Sequence, residues 1–440
     1  MAPRPHEISK TLLKTSRYAI WSCQLAGYLP LSITPKASPP LFFSWISLPT
    51  ISSLLGLFVM TGWTLTYYVH FKSKLYFMRV FGSTEAFAYL LIIIAGTSSG
   101  VYLRFLAFRL REKDSHLFQQ NFKLFEKFES FGFKVSEWSE IAKVQSYLKW
   151  SFYSYFIPLV VLCTMAHIVE PLLLHQKFGR WLPDIVYTMG SGAWLFWSYL
   201  LIGNLWIVFF PRVYCACYRE IIKDIKAKFA TGRRRRASSI VWYPGEIFGK
   251  MEKLKAKETI KIKNVEFFQN FYEDGLYKYD LDVSVNQYIE LVESLGEMIS
   301  QFNTTFGERL LWEMITCIST IILSAFFGCF WLNRGQLRVI GQNLGSMYFY
   351  GKKVVELGYS CGNISDEARS VVRTLIQHVP LDELSEGSRR KIRYLQIQLE
   401  SSPPTVTAKQ FFTIASSSVT TVLSGMAGFL VALIQFRRGE

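Results

Sequence analysis

The sequence predicts an all-α polytopic membrane protein: seven transmembrane helices with cytoplasmic helical extensions, the N-terminus inside and the C-terminus outside. Three observations carry this prediction. Half of the 440 residues are hydrophobic, 16% are aromatic and only 19% are charged, which leaves too little polar surface to cover a soluble particle. The apolar residues fall in blocks of roughly 20, the length a helix needs to cross a hydrocarbon core about 30 Å thick. The basic residues collect on one side of those blocks. The same composition excludes a soluble enzyme, a disordered scaffold and a disulfide-stapled secreted domain. The net charge of +16 is compatible with nucleic acid until its distribution is examined.

Six blocks are clear spans: Pro49–His70, Glu85–Leu103, Trp150–Val169, Val186–Phe210, Leu310–Trp331 and Phe411–Phe436. A weaker seventh, Val339–Tyr359, contains Lys352 and Lys353; hydropathy alone leaves it open between an interfacial helix and a span. Charge decides. With seven spans and an inside N-terminus, 40 of the 49 Lys and Arg residues face the cytoplasm, the asymmetry that orients membrane proteins. Nucleic acid is thereby excluded as the partner that the basic charge serves. The apolar stretch Tyr18–Leu31 has no small-residue cleavage site and reads as a membrane-lying pre-helix.

The chain accordingly divides into a cytoplasmic N-terminal segment (1–48), spans one to four (49–210), a basic cytoplasmic loop and helical anchor (211–309), spans five and six (310–359), a second cytoplasmic helical anchor (360–410) and the last helix (411–440). Apolar residues at helical spacing mark the cytoplasmic connections as helices: Tyr288, Leu291, Val292 and Leu295 lead into span five, and Val371, Val372, Leu375, Ile376 and Val379 follow span six. The basic helix after span four is expected to break at Thr231-Gly232. Faces of this kind need partners, so the helices are expected to run on past the membrane into a cytoplasmic bundle.

The search for catalytic chemistry is nearly empty. No two histidines stand at metal-ligand spacing, and there is no phosphate-binding loop, nucleophile elbow, HExxH or CxxC. The sequence therefore predicts neither an enzyme nor a cofactor. Cys215 and Cys217 read as small residues on a packed helix or as palmitoylation sites. Arg233–Ser239 reads as a solvated basic loop beside anionic lipid, or as a kinase site. Glu313, ionisable within span five, needs a partner, and Arg309 four residues earlier suffices.

The last span is the most informative segment. At helical spacing Ser417, Thr421, Ser424, Gly425, Gly428, Ala432 and Gln435 share one stripe, opposite Leu423, Met426, Leu430, Leu433 and Ile434. Such a stripe either packs closely on another helix or lines a water-filled path. The stretch Ala408–Phe436 resembles the C-terminal signature of insect gustatory receptors, which ends in a hydroxyl-rich helix, Thr-Tyr, five apolar residues and Gln-Phe. Here Gln435-Phe436 match, Leu430–Ile434 are the five apolar residues, and Phe412, Thr413 and Gly425 fall where the pattern expects them. Gly428-Phe429 replaces Thr-Tyr, and Leu430 stands where the family's sugar receptors carry an acid.

The resemblance implies a plasma-membrane chemosensory receptor: a ligand-gated, non-selective cation channel, homo- or hetero-tetrameric, opened by a small-molecule tastant. It places Ile434, Gln435 and Phe436 near the outer mouth as gate residues, with Ala432 and Gly428 along the pore. A ligand pocket is then expected among the outer halves of spans two to six. The candidates are Tyr89, Tyr187, Trp194, Trp197 and Trp331 as aromatic walls and His167 and Glu170 as the polar pair. Anchoring at the lipid interface is the other reading of those aromatics, and membrane lipid a further partner. A transporter and a G-protein-coupled receptor are the alternatives; the inside N-terminus and the lack of Asp-Arg-Tyr after span three argue against the latter. The topology puts both sequons, Asn303-Thr304-Thr305 and Asn363-Ile364-Ser365, in the cytoplasm, so glycosidase treatment is expected to leave the protein's gel mobility unchanged. A glycan on either asparagine would invert the orientation.

Overall fold

The computed structural model describes residues 5–33, 41–73, 83–164, 203–239, 256–332 and 337–438. Among these residues stand nine α-helices: α1 (Pro5–Leu25), α2 (Leu48–Ser73), α3 (Ser83–Ser130), α4 (Ser139–Thr164), α5 (Asn204–Ser239), α6 (Ala256–Leu332), α7 (Leu337–His378), α8 (Glu386–Ser401) and α9 (Ser416–Arg438). Two short antiparallel hairpins complete the described fold, β1 (Leu31–Ile33) with β2 (Leu41–Phe43), and β3 (Thr407–Ala408) with β4 (Phe412–Thr413).

Helix length carries the first lesson. The helices α3, α6 and α7 contain 48, 77 and 42 residues. At 1.5 Å per residue they run about 72, 115 and 63 Å, two to four times a hydrocarbon core of about 30 Å. Each is thus longer than the predicted span it contains, and the connections after spans two and six and before span five are helical, as their apolar spacing predicts. Among the described residues, Leu281–Cys329 within α6 is long and apolar enough to cross a membrane, and Leu48–Phe58 is a shorter apolar run.

Two boundaries differ from the pattern. Helix α5 does not break at Thr231-Gly232 but continues to Ser239, carrying Arg233–Arg236 on helix rather than loop. A single interior glycine costs only about 1 kcal/mol, too little to end a helix that good formers extend on both sides. Helix α9 begins at Ser416 and not at Phe411, because Phe412 and Thr413 pair across the second hairpin.

The chain forms two compact units. The first comprises Met1–Ala216, Glu297–Ile364 and Thr405–Glu440; the second comprises Cys217–Gly296 and Ser365–Pro404. In the first unit α1 buries Leu12, Ser16, Ala19, Ile20 and Cys23 along one stripe and leaves Trp21 and Leu25 exposed. Its Tyr18 ring meets Phe152 and Tyr153 of α4 at 6.0 and 6.3 Å. The start of α5 is core: Trp206 stacks on Phe118 at 5.8 Å, and Phe210 lies 6.0 and 5.6 Å from Phe302 and Phe306.

The second unit is built on the apolar faces predicted for the connections. Tyr288, Leu291, Val292 and Leu295 are buried, as are Val371, Val372, Leu375 and Val379, and α8 adds Ile392, Leu395 and Leu399. Polar ties fix the arrangement. The Tyr288 hydroxyl donates to Asp224 at 2.5 Å, Arg219 pairs with Glu367 at 2.7 Å, and the Asp282 carboxylate accepts from the Ser385 N–H at 3.1 Å. Ser385 in turn caps α8 by accepting from the Ser388 N–H at 3.3 Å.

Asp114, on the extension of α3, is 1% exposed, and among the described residues neither of its carboxylate oxygens has a hydrogen-bond partner. Burial pushes its pKa from 3.8 up to about 7, with Arg309 pulling it down. A carboxyl that holds its proton more tightly folded than unfolded loses stability as pH rises between those two values. The fall in melting temperature between pH 3.8 and about 7 is therefore expected to flatten in Asp114→Asn, measured on purified protein across that range. An unchanged slope would reject the assignment.

Candidate functional site

The site is built around the last helix, and its foundation is a side-chain clamp. Asn303 of α6 donates from Nδ2 to the Thr405 carbonyl at 2.8 Å and accepts at Oδ1 from the Thr407 N–H at 3.0 Å. The amide thus serves as a strand edge for the segment entering β3. The turn that follows holds Lys409 and Gln410 at φ +49° and +62°, closed by Phe411 N–H donating to the Ala408 carbonyl at 3.0 Å. Both central residues take the left-handed conformation, within a three-residue loop between the paired Ala408 and Phe412. The hairpin sits hard against α6: a β-carbon on Gly307 would stand 3.0 Å from the Lys409 nitrogen.

Helix α9 then starts against a notch in α7. A β-carbon on Gly362 would stand 2.6 Å from the Ser416 nitrogen, and one on Gly358 would collide with the Val419 side chain. Gly358-Tyr-Ser-Cys-Gly362 is a GxxxG motif, the spacing that lets two membrane helices approach closely. Ser418 finishes the entry by donating to the Thr413 carbonyl at 2.7 Å.

Beyond that base the chain covers little of the helix. Val419 and Met426 are buried, while Ser417, Thr421, Ser424, Gly425, Gly428 and Gln435 are exposed, as are Leu423 and Val431. The described residues of the small and polar stripe read from the sequence are therefore exposed, and so are Thr420, Leu423, Ala427 and Val431 outside it. Ala432, Ile434 and Phe436 stand on the same helical backbone toward its end. Leu423, predicted opposite the stripe, is 48% exposed, so among the described side chains of the helix the buried ones are Val419 and Met426.

The charges in the spans are paired. Glu313, fully buried, takes Arg309 at 3.8 Å as its neighbour, as its position predicts, and also Lys353 of α7. Lys352 pairs with Glu356 at 3.1 Å, and the same carboxylate accepts from Ser151 at 2.5 Å and from Tyr155 at 2.9 Å, both on α4. The two lysines that weaken the hydropathy of span six are thus neutralised inside the protein, and α7 is an unbroken helix through both. Burial near this network pushes the Tyr147 phenol up to about 12, the adjacent Glu356 adding to the effect.

Of the predicted ligand residues, His167, Glu170, Tyr187, Trp194 and Trp197 lie outside the described residues. Tyr89 stands on α3 and Trp331 on α6. Three features that position the site had no place in the sequence reading: the Asn303 clamp, the hairpin and the glycine notch. The notch was findable, since GxxxG is a sequence signal; the clamp and the hairpin were not, because Asn303 lies more than a hundred residues from the backbone it binds.

Long helices of this kind, with Glu313 and Lys353 paired in the interior between two of them, define a helical fold suited to a membrane. A family model described as the 7tm chemosensory receptor matches residues 16–438, and the chain belongs to that family. Among solved structures it is similar to the insect olfactory receptor OR5 of Machilis hrabei. The complex of that protein with eugenol gives a TM-score of 0.60 and a second structure of the same receptor 0.61, each at 11% identity over 96% of this chain and 97% of the other. No curated protein matches the sequence.

The glycine notch yields a direct test. Gly362→Ala sets a methyl against backbone and is expected to lower stability by about 1–3 kcal/mol, read as a drop in melting temperature of detergent-purified protein. Gly351→Ala on the same helix meets nothing within 4 Å and is the control, expected to be neutral. Equal effects from the two would remove the notch as the base of α9.

Proposed function

We propose that this chain is a gustatory-type chemosensory receptor acting as a ligand-gated, non-selective cation channel of the plasma membrane. One observation carries the reading: in a helix apolar enough for lipid, the hydroxyl and small residues Ser417, Thr421, Ser424, Gly425 and Gly428 are left bare by the protein's own fold. Hydroxyls facing lipid gain nothing; facing water around a symmetry axis they solvate a path. Four chains, identical or related, each giving α9 to a common axis, would supply that path. The N-terminus lies inside and the C-terminus outside, as the positive charge suggests, so Ile434, Gln435 and Phe436 stand near the outer mouth. Rings of Ile434 or Phe436 close the pore by dewetting, Gln435 offers amides to a hydrated cation, and Ala432 and Gly428 keep the path below wide.

The ligand of this reading is a small-molecule tastant held among Tyr89, Tyr187, Trp194, Trp197 and Trp331 and oriented by His167 and Glu170. The eugenol named for the olfactory receptor complex, a small aromatic, is chemistry that such a wall of rings accommodates. That likeness equally supports an odorant in place of a tastant, and the ligand screen distinguishes them. Membrane lipid is a second partner: Trp21, Gln24, Leu25, Leu48, Pro49 and Ser52 line an apolar cavity of about 350 Å³, with the Arg17 guanidinium 4.0 Å from the Trp21 ring. An acyl chain and a headgroup phosphate suit such a groove.

The test is current across membranes containing the protein during a panel of tastants and odorants, with Gln435→Ala alongside. Opening by a small organic ligand with poor discrimination between sodium and potassium is expected. The variant is expected to reach the surface normally while its relative cation permeability or open probability shifts at least severalfold. Gln435→Ala protein that fails to reach the surface would assign Gln435 to helix packing, and silence across the whole panel would favour a transporter.

A further inference from the structure

Deep in the first unit two arginines converge on one tyrosine. Arg104 of α3 and Arg309 of α6 are 2% and 1% exposed, and their guanidinium carbons lie 5.2 and 5.0 Å from the ring of the fully buried Tyr28. Arg104 Nε lies 3.4 Å from where a β-carbon on Gly56 would stand. From the same point on Gly27 (φ +70°), Arg104 Nε is 3.5 Å and Ser53 Oγ 3.8 Å away. The guanidinium thus lies close against Gly56 of α2 and against Gly27 in the turn between α1 and β1.

Several of the donors gathered there are unmatched. Among the described residues Arg104 Nε, Arg309 Nε and Nη2, Tyr28 Oη and Ser53 Oγ have no hydrogen-bond partner. Arg104 keeps one bond, from Nη1 to the Gly100 carbonyl at 3.2 Å. Two acids stand near: Asp114 feels the charge of Arg309 but has no hydrogen-bond partner among the described residues, and Glu313 is shared by Arg309 and Lys353. Among the described residues no carboxylate lies within ion-pair distance of Arg104. A guanidinium cannot shed its charge, and an unpaired one buried away from water is strongly destabilising. Water could accept some of these bonds but would leave the charge standing. A negative ion answers both the unmatched N–H groups and the charge.

We propose that Arg104, Arg309, Tyr28 and Ser53 form a buried binding site for a small inorganic anion, chloride in the cell. The guanidinium groups supply charge and directed N–H donors, and the two hydroxyls complete the shell. The site is separate from the cation path along α9: it holds its ion in place and ties α3, α6 and the α1–β1 turn together. Whether Asp114 is ionised or neutral, Arg104 keeps its need for a counter-ion.

The experiment uses full-length protein in nanodiscs, melted in sodium gluconate, chloride and bromide at constant ionic strength. Chloride is expected to raise the melting temperature saturably over gluconate, and bromide to substitute for it. Tyr28→Phe keeps the ring and deletes one donor to a charged acceptor, so the half-saturating chloride concentration is expected to rise about tenfold or more. Should that variant not fold, Ser53→Ala deletes the other hydroxyl and is expected to shift the midpoint in the same direction. Equal melting in chloride and gluconate would overturn the site, as would a chloride midpoint untouched in the folded hydroxyl variant.

Discussion

The carboxylate of Glu313 is the point on which the membrane half of this chain depends. It is fully buried on α6 between Arg309, four residues earlier, and Lys353 of α7. Each of these groups alone would resist a low-dielectric interior, the more so within a helix apolar enough to cross a bilayer. Together they make two neighbouring helices possible, and they fix how those helices lie along one another. Five and nine residues past Lys353 come Gly358 and Gly362. The tie that neutralises the charge therefore also sets the height of the notch into which the last helix fits.

From the notch upward the economy of the fold changes. The base of α9 is over-determined, held by Asn303 on the incoming strand, by Gly307 against the hairpin, and by Gly358 and Gly362 against Val419 and Ser416. Two residues at positive φ in the turn carry strain of about 1–3 kcal/mol each, sustained only because these contacts leave the chain no alternative. Among the described side chains of the helix the buried ones are Val419 and Met426. A helix fixed at its foot and uncovered along its polar side is suited to meeting other copies of itself, with freedom to move there, and the proposed channel uses both properties.

What was legible in the sequence follows from range. The apolar faces around Tyr288 and Val371 were readable because helical periodicity is local, and the Arg309–Glu313 pairing because four residues make one turn. The small and polar stripe of α9 was readable for the same reason. Lys352 and Lys353 lower the hydropathy of span six; the Lys352–Glu356 pair was as local as Arg309–Glu313, whereas Glu313, the partner of Lys353, lies on α6 and had to be supplied by the fold. The Asn303 clamp joins positions 102 and 104 apart, and no spacing rule reaches that far. Thr231-Gly232 shows the opposite failure, where a local breaker is overruled by the helix on both sides of it.

These buried cations also bear on the argument from charge. Arg104, Arg309, Lys352 and Lys353 were counted as cytoplasmic positive charge, yet all four make their interactions within the protein, and three of them are 2% exposed or less. Setting them aside leaves 36 basic residues on the inner side against nine outside, so the proposed orientation rests on residues free to respond to it. The four make a different point. In the proposed orientation they stand at the inner ends of spans, where a helix leaving lipid first tolerates charge. Arg104 is the member for which the described chain supplies no acid. The anion proposed beside it answers that lack.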